Sequence, residues 1–166
     1  MDKGTRRMAA FAGALAVFAV DRWSKTVVES SLGPYDSRVV IPGFFNVIRS
    51  GNPGVAFGIF ADNSTHSRTL LLIVASVAAV LILARMLWRI DRQDQFSAAG
   101  LSLILGGALG NVYDRVLFGS VTDFLDFYSG TYHWYTFNLA DSAICIGAGL
   151  LILSMFFSKQ RKEVHV

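Results

Sequence analysis

The sequence predicts an all-α membrane protein: four transmembrane helices with a small extracytoplasmic β-cradle. Three observations carry that prediction. Of 166 residues, 53% are hydrophobic and only 16% charged, with a mean hydropathy of +0.47, too apolar for a soluble domain of this length. Four stretches, 8–20, 69–84, 95–113 and 142–158, contain no charged residue. Finally, nine of the 15 Lys and Arg crowd into three short segments, Lys3/Arg6/Arg7, Arg85/Arg89/Arg92 and Lys159/Arg161/Lys162, the bias that marks the cytoplasmic ends of membrane helices.

The first helix is expected over about 8–28. Its 13 uncharged residues are too few to cross the roughly 20-residue hydrocarbon core, so it must run on past Asp21 and take Lys25 with it. Its basic start and short apolar run also fit a cleavable signal peptide, with Ala14-Leu15-Ala16 resembling a cleavage site. Three further spans, and the position of that tripeptide inside the apolar run, favour an uncleaved anchor. Residues 33–62 read as the cradle: Val39 to Ile41 and Phe44 to Ile48 look like short strands around Pro42-Gly43, and Asn52-Pro53-Gly54 is a turn signature leading into Val55 to Phe60. So apolar a segment is expected to rest on the membrane surface.

Helices follow at about 67–90, 95–117 and 138–158. The second, rich in Leu, Val, Ala and Ile, reads as lipid-facing. The third and fourth carry small residues (Gly100, Gly106, Gly107, Gly110; Ala143, Gly147, Ala148, Gly149) that let backbones approach closely. Trp23, Tyr113, Tyr128, Tyr132, Trp134 and Tyr135 are placed in an outer aromatic belt, with Trp88 at the inner surface. The whole chain, 1–166, is one domain with both termini cytoplasmic. The +3 net charge then divides into +5 inside and −2 outside, so the basic pI near 9.2 reflects orientation rather than nucleic-acid binding.

That topology gathers the intramembrane acids at one surface. Asp123 lies in the connection between the third and fourth helices, and Asp141 about one turn inside the fourth. Carboxylates at membrane depth face a cavity or a partner rather than lipid, and two that share a proton can activate water against a peptide bond. Each has a simpler explanation as well. Asn138 followed by Asp141 has the spacing of a helix N-cap; Asp123 after Thr122 would begin a short interfacial helix; Asp126 would be surface decoration. Asp21 and Lys25, four apart, form a structural ion pair, and Asn111 and Arg115 share a helix face. Cys145 is the only cysteine and reads as a small apolar residue; His66, His133 and His165 lack ligand spacing, so neither a metal nor another cofactor is expected. Ser142 has no His or Lys placed to activate it as a nucleophile.

Five blocks in order, Asp21-Arg22-Trp23-Ser24-Lys25, Asn52-Pro53-Gly54-Val55-Ala56-Phe57, Gly106 to Arg115, Val121-Thr122-Asp123-Phe124 and Phe137-Asn138-Leu139-Ala140-Asp141-Ser142, together resemble the bacterial lipoprotein signal peptidases (signal peptidase II). The resemblance implies an aspartyl endopeptidase of the bacterial inner membrane that cuts prolipoproteins before a diacylglyceryl-modified cysteine, with its site at the periplasmic leaflet. It implies Asp123 and Asp141 as the catalytic pair, and Asn52, Gly54, Asn111, Asp114, Arg115, Asn138 and Ala140 as residues that bind substrate or order the site. Pro53 stands at a variable position and stiffens the turn. The implied partners are diacylglyceryl-modified prolipoproteins and membrane lipid, acting on a monomer with no cofactor. The alternative is a small transport or ion-coupling protein with outer-leaflet carboxylates. It predicts polar residues continuing through the inner halves of the helices, which are mostly Leu, Ile, Ala and Gly. A third reading, a noncatalytic scaffold, would tolerate amides at both aspartates.

Overall fold

A computed structural model describes residues 2–54, 65–90 and 94–163. Among these the order is α1 (Lys3–Ser31), β1 (Ser37–Ile41), β2 (Phe45–Asn52), α2 (Thr65–Arg89), α3 (Gln95–Phe118), β3 (Val121–Ser129), β4 (Tyr132–His133) and α4 (Leu139–Glu163). The predicted helices are all present, and α1 and α4 run several residues beyond their predicted ends. At the start of α1 the Asp2 carboxylate accepts the Thr5 N–H at 2.7 Å. At its end Arg49 of β2 donates Nη1 to the carbonyls of Glu29 and Leu32, both at 3.0 Å, satisfying acceptors that the helix leaves open. In α3, Asp94 accepts the Ser97 N–H, and Gly119 closes the helix at φ 73°, a left-handed cap that a side chain would strain.

Thr69–Arg89, Gln95–Phe118 and Leu139–Phe156 are long and apolar enough to cross a membrane. Of these, the α3 window is 44% buried and that of α2 only 6%, which makes α3 the hub and α2 the lipid-facing helix the sequence predicts. Small residues set the spacing around the hub. A Cβ on Gly100 would press on the Gly147 carbonyl at 2.7 Å, and one on Gly147 would press on the Gly100 carbonyl at 2.6 Å. Likewise a Cβ on Gly106 would overlap Ala14 and Val17 of α1, and one on Gly107 would overlap Ala140 of α4. The glycine run thus lets α1 and α4 both pack closely against α3, near enough to each other that Gly110 meets Asp21 of one and Ala140 of the other.

α1 is apolar at Ala14 and Val28, yet it also buries Asp21 and Lys25 completely on the side that meets α3. Those charges, with Arg22 and Glu29, keep α1 out of the set of plainly apolar spans.

The cradle differs from the prediction in composition. It is a four-stranded antiparallel sheet in the order β1-β2-β3-β4, so half of its strands come from the connection before α4 rather than from 33–62. The predicted strand cores around 39–41 and 44–48 are present, whereas Val55 to Phe60 and the outer end of the predicted cradle lie outside the described residues. Thr122-Asp123 does not start an interfacial helix: β3 pairs with β2, with Ser50 opposite Asp123 and Asn52 opposite Val121. The β-branched and aromatic residues Val121, Thr122, Phe124, Phe127 and Tyr128 suit a strand better than a helical turn. Phe127 stacks between Phe45 (4.8 Å) and Phe137 (5.8 Å), fastening the sheet to the segment that enters α4.

Asp126 is also corrected. It is buried, accepting Asn46 Nδ2 at 2.8 Å and contacting His133 Nδ1 at 2.9 Å, and so holds the sheet together instead of decorating it.

Candidate active site

Four elements converge on one polar cluster between α1, α3, α4 and the cradle. The centre is Asn138, fully buried just before α4. Its Nδ2 donates to Asp123 Oδ1 at 2.7 Å and to Asn111 Oδ1 at 3.4 Å, while its backbone N–H donates to Asp141 Oδ2 at 3.2 Å. In return the Asp141 N–H donates to Asn138 Oδ1 at 3.0 Å. This is a reciprocal capping box. The N-cap spacing and the functional spacing are therefore one arrangement, and the cap holds the two carboxylates on a single residue.

Each carboxylate has a further partner. Asn52, at the end of β2, donates Nδ2 to Asp123 Oδ2 at 3.0 Å, and its own Oδ1 accepts the Gly54 N–H at 2.8 Å. Gly54 sits at φ +85°, a left-handed conformation that favours glycine, with the end of the Leu72 side chain of α2 close against it. Asn111 of α3 donates Nδ2 to Asp141 Oδ1 at 2.8 Å. Its orientation is fixed from behind, because Asn111 Oδ1 accepts Lys25 Nζ at 3.2 Å and cannot turn without presenting its NH2 group to a cation.

Lys25 belongs to a buried charge cluster. Its Nζ meets Asp21 at 2.8 Å and Asp114 at 2.9 Å, all three side chains being wholly inaccessible. Asp21 Oδ1 also accepts the Ala140 N–H at 2.9 Å, capping α4 from another helix. Asp114 takes a second cation, Arg22 Nη1, at 2.6 Å. The predicted Asp21–Lys25 pair is thus present, extended by Asp114 into a link between α1, α3 and α4. Arg115 shares the Asn111 face as expected: its Nη1 donates to the Asn111 carbonyl at 3.2 Å, and its Nε is buried without a partner among the described residues.

The structure therefore gathers every predicted site residue into this region, Asp114 and Ala140 behind the carboxylates rather than beside them. It adds Arg22, Glu29 and Thr122, which the sequence reading left out. Glu29 accepts the Thr122 hydroxyl at 2.7 Å and pairs with Arg22 at 3.4 Å, tying the strand that carries Asp123 to the end of α1. Arg22 and Glu29, seven apart on the Asp21/Lys25 helix, were the available signal.

Burial pushes Asp123 up to about 6; the Asp141 charge adds to the rise, while hydrogen bonds from Asn52 and Asn138 and the Lys25 charge oppose it. A dyad that works with one shared proton keeps it below that value and loses it above. If the two carboxylates share that proton in catalysis, kcat/KM should fall as pH rises through about 6. Asn52→Ala removes a bond that favours the ionised carboxylate, so the falling limb should move to higher pH. A limb that stays put or moves down would contradict this origin of the shift.

α1, α3, α4 and the cradle enclosing buried carboxylates, beside helices long and apolar enough to cross a bilayer, define a membrane protein with an internal polar site. The family model for Signal peptidase (SPase) II matches residues 13–157, and the chain belongs to that family; it is a peptide-bond hydrolase and a multi-pass membrane protein. A lipoprotein signal peptidase of Solibacter usitatus is 50% identical over 155 residues, covering 93% of this chain and 94% of its own. Another, of Vibrio cholerae, is 42% identical over 148 residues, covering 89% and 86%. A bacterial membrane enzyme solved by the in meso method at 2.3 Å superposes with a TM-score of 0.79 at 29% identity, covering 93% of this chain and 91% of that one.

Proposed function

We propose that this chain removes signal peptides from prolipoproteins, cutting before a diacylglyceryl-modified cysteine with Asp123 and Asp141 as its catalytic pair. The observation that carries the mechanism is the attachment of both carboxylates to Asn138. In this reading α1 is the fourth span, its charges tolerated because they face α3; both termini lie in the cytoplasm and the dyad lies at the outer leaflet. Residues 1–166 act as one domain and as a monomer.

Asp141 sits in the first turn of α4, accepting from the Asn111 side chain at 2.8 Å and the Asn138 backbone N–H at 3.2 Å. Asp123 is the partner that burial keeps protonated more readily. Accordingly Asp141 takes the proton from the attacking water, and Asp123 delivers its proton to the scissile carbonyl oxygen as the tetrahedral intermediate forms. On collapse, the proton gained by Asp141 passes to the departing cysteine amine, and Asp123 recovers its own from the hydroxyl that becomes the carbonyl. The half-buried Arg115 stabilises oxygen charge in between, while Asn138, whose donors are all engaged, holds the pair in place. Asn52, Gly54 and Asn111 orient the pair; Asp21, Lys25, Asp114 and Ala140 hold the helices that carry it.

The lipid explains the membrane setting. Acyl chains remaining in the leaflet contribute roughly 0.8 kcal/mol per buried methylene, which lets a shallow site bind a short peptide segment. The test compares a prolipoprotein with and without the diacylglyceryl group, by mass analysis of the products. Only the modified form should be cut, leaving the modified cysteine at the new N-terminus. Equal cleavage of both forms would rule out the lipid as the recognised group.

A further inference from the structure

At the end of the bundle opposite the dyad, a cavity of about 630 Å³ opens between α1 and α3, a volume typical of small-molecule sites. Its walls are largely apolar, with Ala10, Gly13 and Val17 of α1 against Ala98, Ala99 and Leu103 of α3. Its mouth is basic: Lys3, Arg6 and Arg7 all line it. Among the described residues none of these three cations meets a carboxylate, and Arg7 Nε is buried with no acceptor. The one acid in the lining, Asp94, is engaged elsewhere, accepting the Ser97 N–H at 2.9 Å and the Ser154 hydroxyl at 2.8 Å. Arg7 is braced over the Trp88 ring at 4.6 Å.

We propose that this groove binds an anionic phospholipid of the leaflet opposite the dyad. The phosphate would lie between Arg6 and Arg7, and an acyl chain along Ala10, Gly13 and Leu103. Charge selects the occupant. A substrate signal peptide would bring its own basic end to this surface and be repelled, whereas an anionic headgroup supplies the acceptors that Arg6 and Arg7 lack, and its tail suits a largely apolar wall. Clusters of basic residues at a membrane helix end attract such lipids.

The test uses the full chain in detergent, titrated with phosphatidylglycerol or phosphatidylethanolamine and examined by native mass spectrometry for retained lipid. Phosphatidylglycerol should be retained about tenfold better, and Arg6→Gln with Arg7→Gln should remove that preference. Gly13→Leu, which keeps the charges but fills the groove, should lower retention of both lipids. Arg85→Gln with Arg89→Gln, which removes exposed cations outside the groove, should leave the preference intact. The proposal is overturned by equal retention in the parent, by a preference that survives loss of Arg6 and Arg7, by retention unchanged in Gly13→Leu, or by an equal loss in the Arg85/Arg89 variant.

Discussion

Lys25→Met is expected to lower stability by about 3–5 kcal/mol, the usual consequence of removing one member of a buried ion cluster. The lysine is completely inaccessible, and it holds Asp21, Asp114 and Asn111 at once. Methionine fills most of the volume, so the loss comes from charge. Arg22 still answers Asp114, but Asp21 then faces only the Ala140 N–H. Thermal melting in detergent should drop by about 10 °C for a chain of this size. Adding Asp21→Asn to Lys25→Met should recover part of the loss, because the two groups are coupled. A parent-like melt for Lys25→Met would mean that the cluster does not hold α1 against α3. Variants that do fold should also cleave more slowly, since Asn111 is then free to rotate away from Asp141.

Asp123→Asn and Asp141→Asn should each reduce cleavage by about a thousandfold or more while leaving the fold intact, the magnitude general acid and base catalysis supplies. An amide matches a carboxylate in shape but cannot exchange a proton with water or substrate. At position 141 the amide oxygen can still accept one of the two donors, from Asn111 or Asn138, so the helix start survives. The double variant should be scarcely slower than either single one, because the pair acts as a unit. Losses that multiply would instead indicate two independent contributions.

Much of this was legible because it is local. Charge-free runs gave the helices, and the Asp21/Lys25 and Asn138/Asp141 spacings gave an ion pair and a cap within single elements. What could not be read depends on pairing between distant segments. Asp123 lies on a strand because β3 finds β2, some seventy residues earlier, and the aromatic run around it reads equally well as an interfacial belt. Asp126 looked exposed because its partners Asn46 and His133 meet it only across that sheet. Asp114 joins the cluster only because Gly110 brings α3 against Asp21; a Cβ at Gly110 would overlap that carboxylate. Gly54 was placed by motif, but its φ of +85° comes from the packed turn.

The most direct test of the dyad follows a diacylglyceryl-modified prolipoprotein by product mass in a single turnover, with purified parent, Asp123→Asn and Asp141→Asn side by side at equal folded concentration. The parent should release the signal peptide, and both amide variants should leave the substrate whole over the same interval. Cleavage at the parental rate by either amide variant would make that aspartate structural and contradict the shared-proton mechanism.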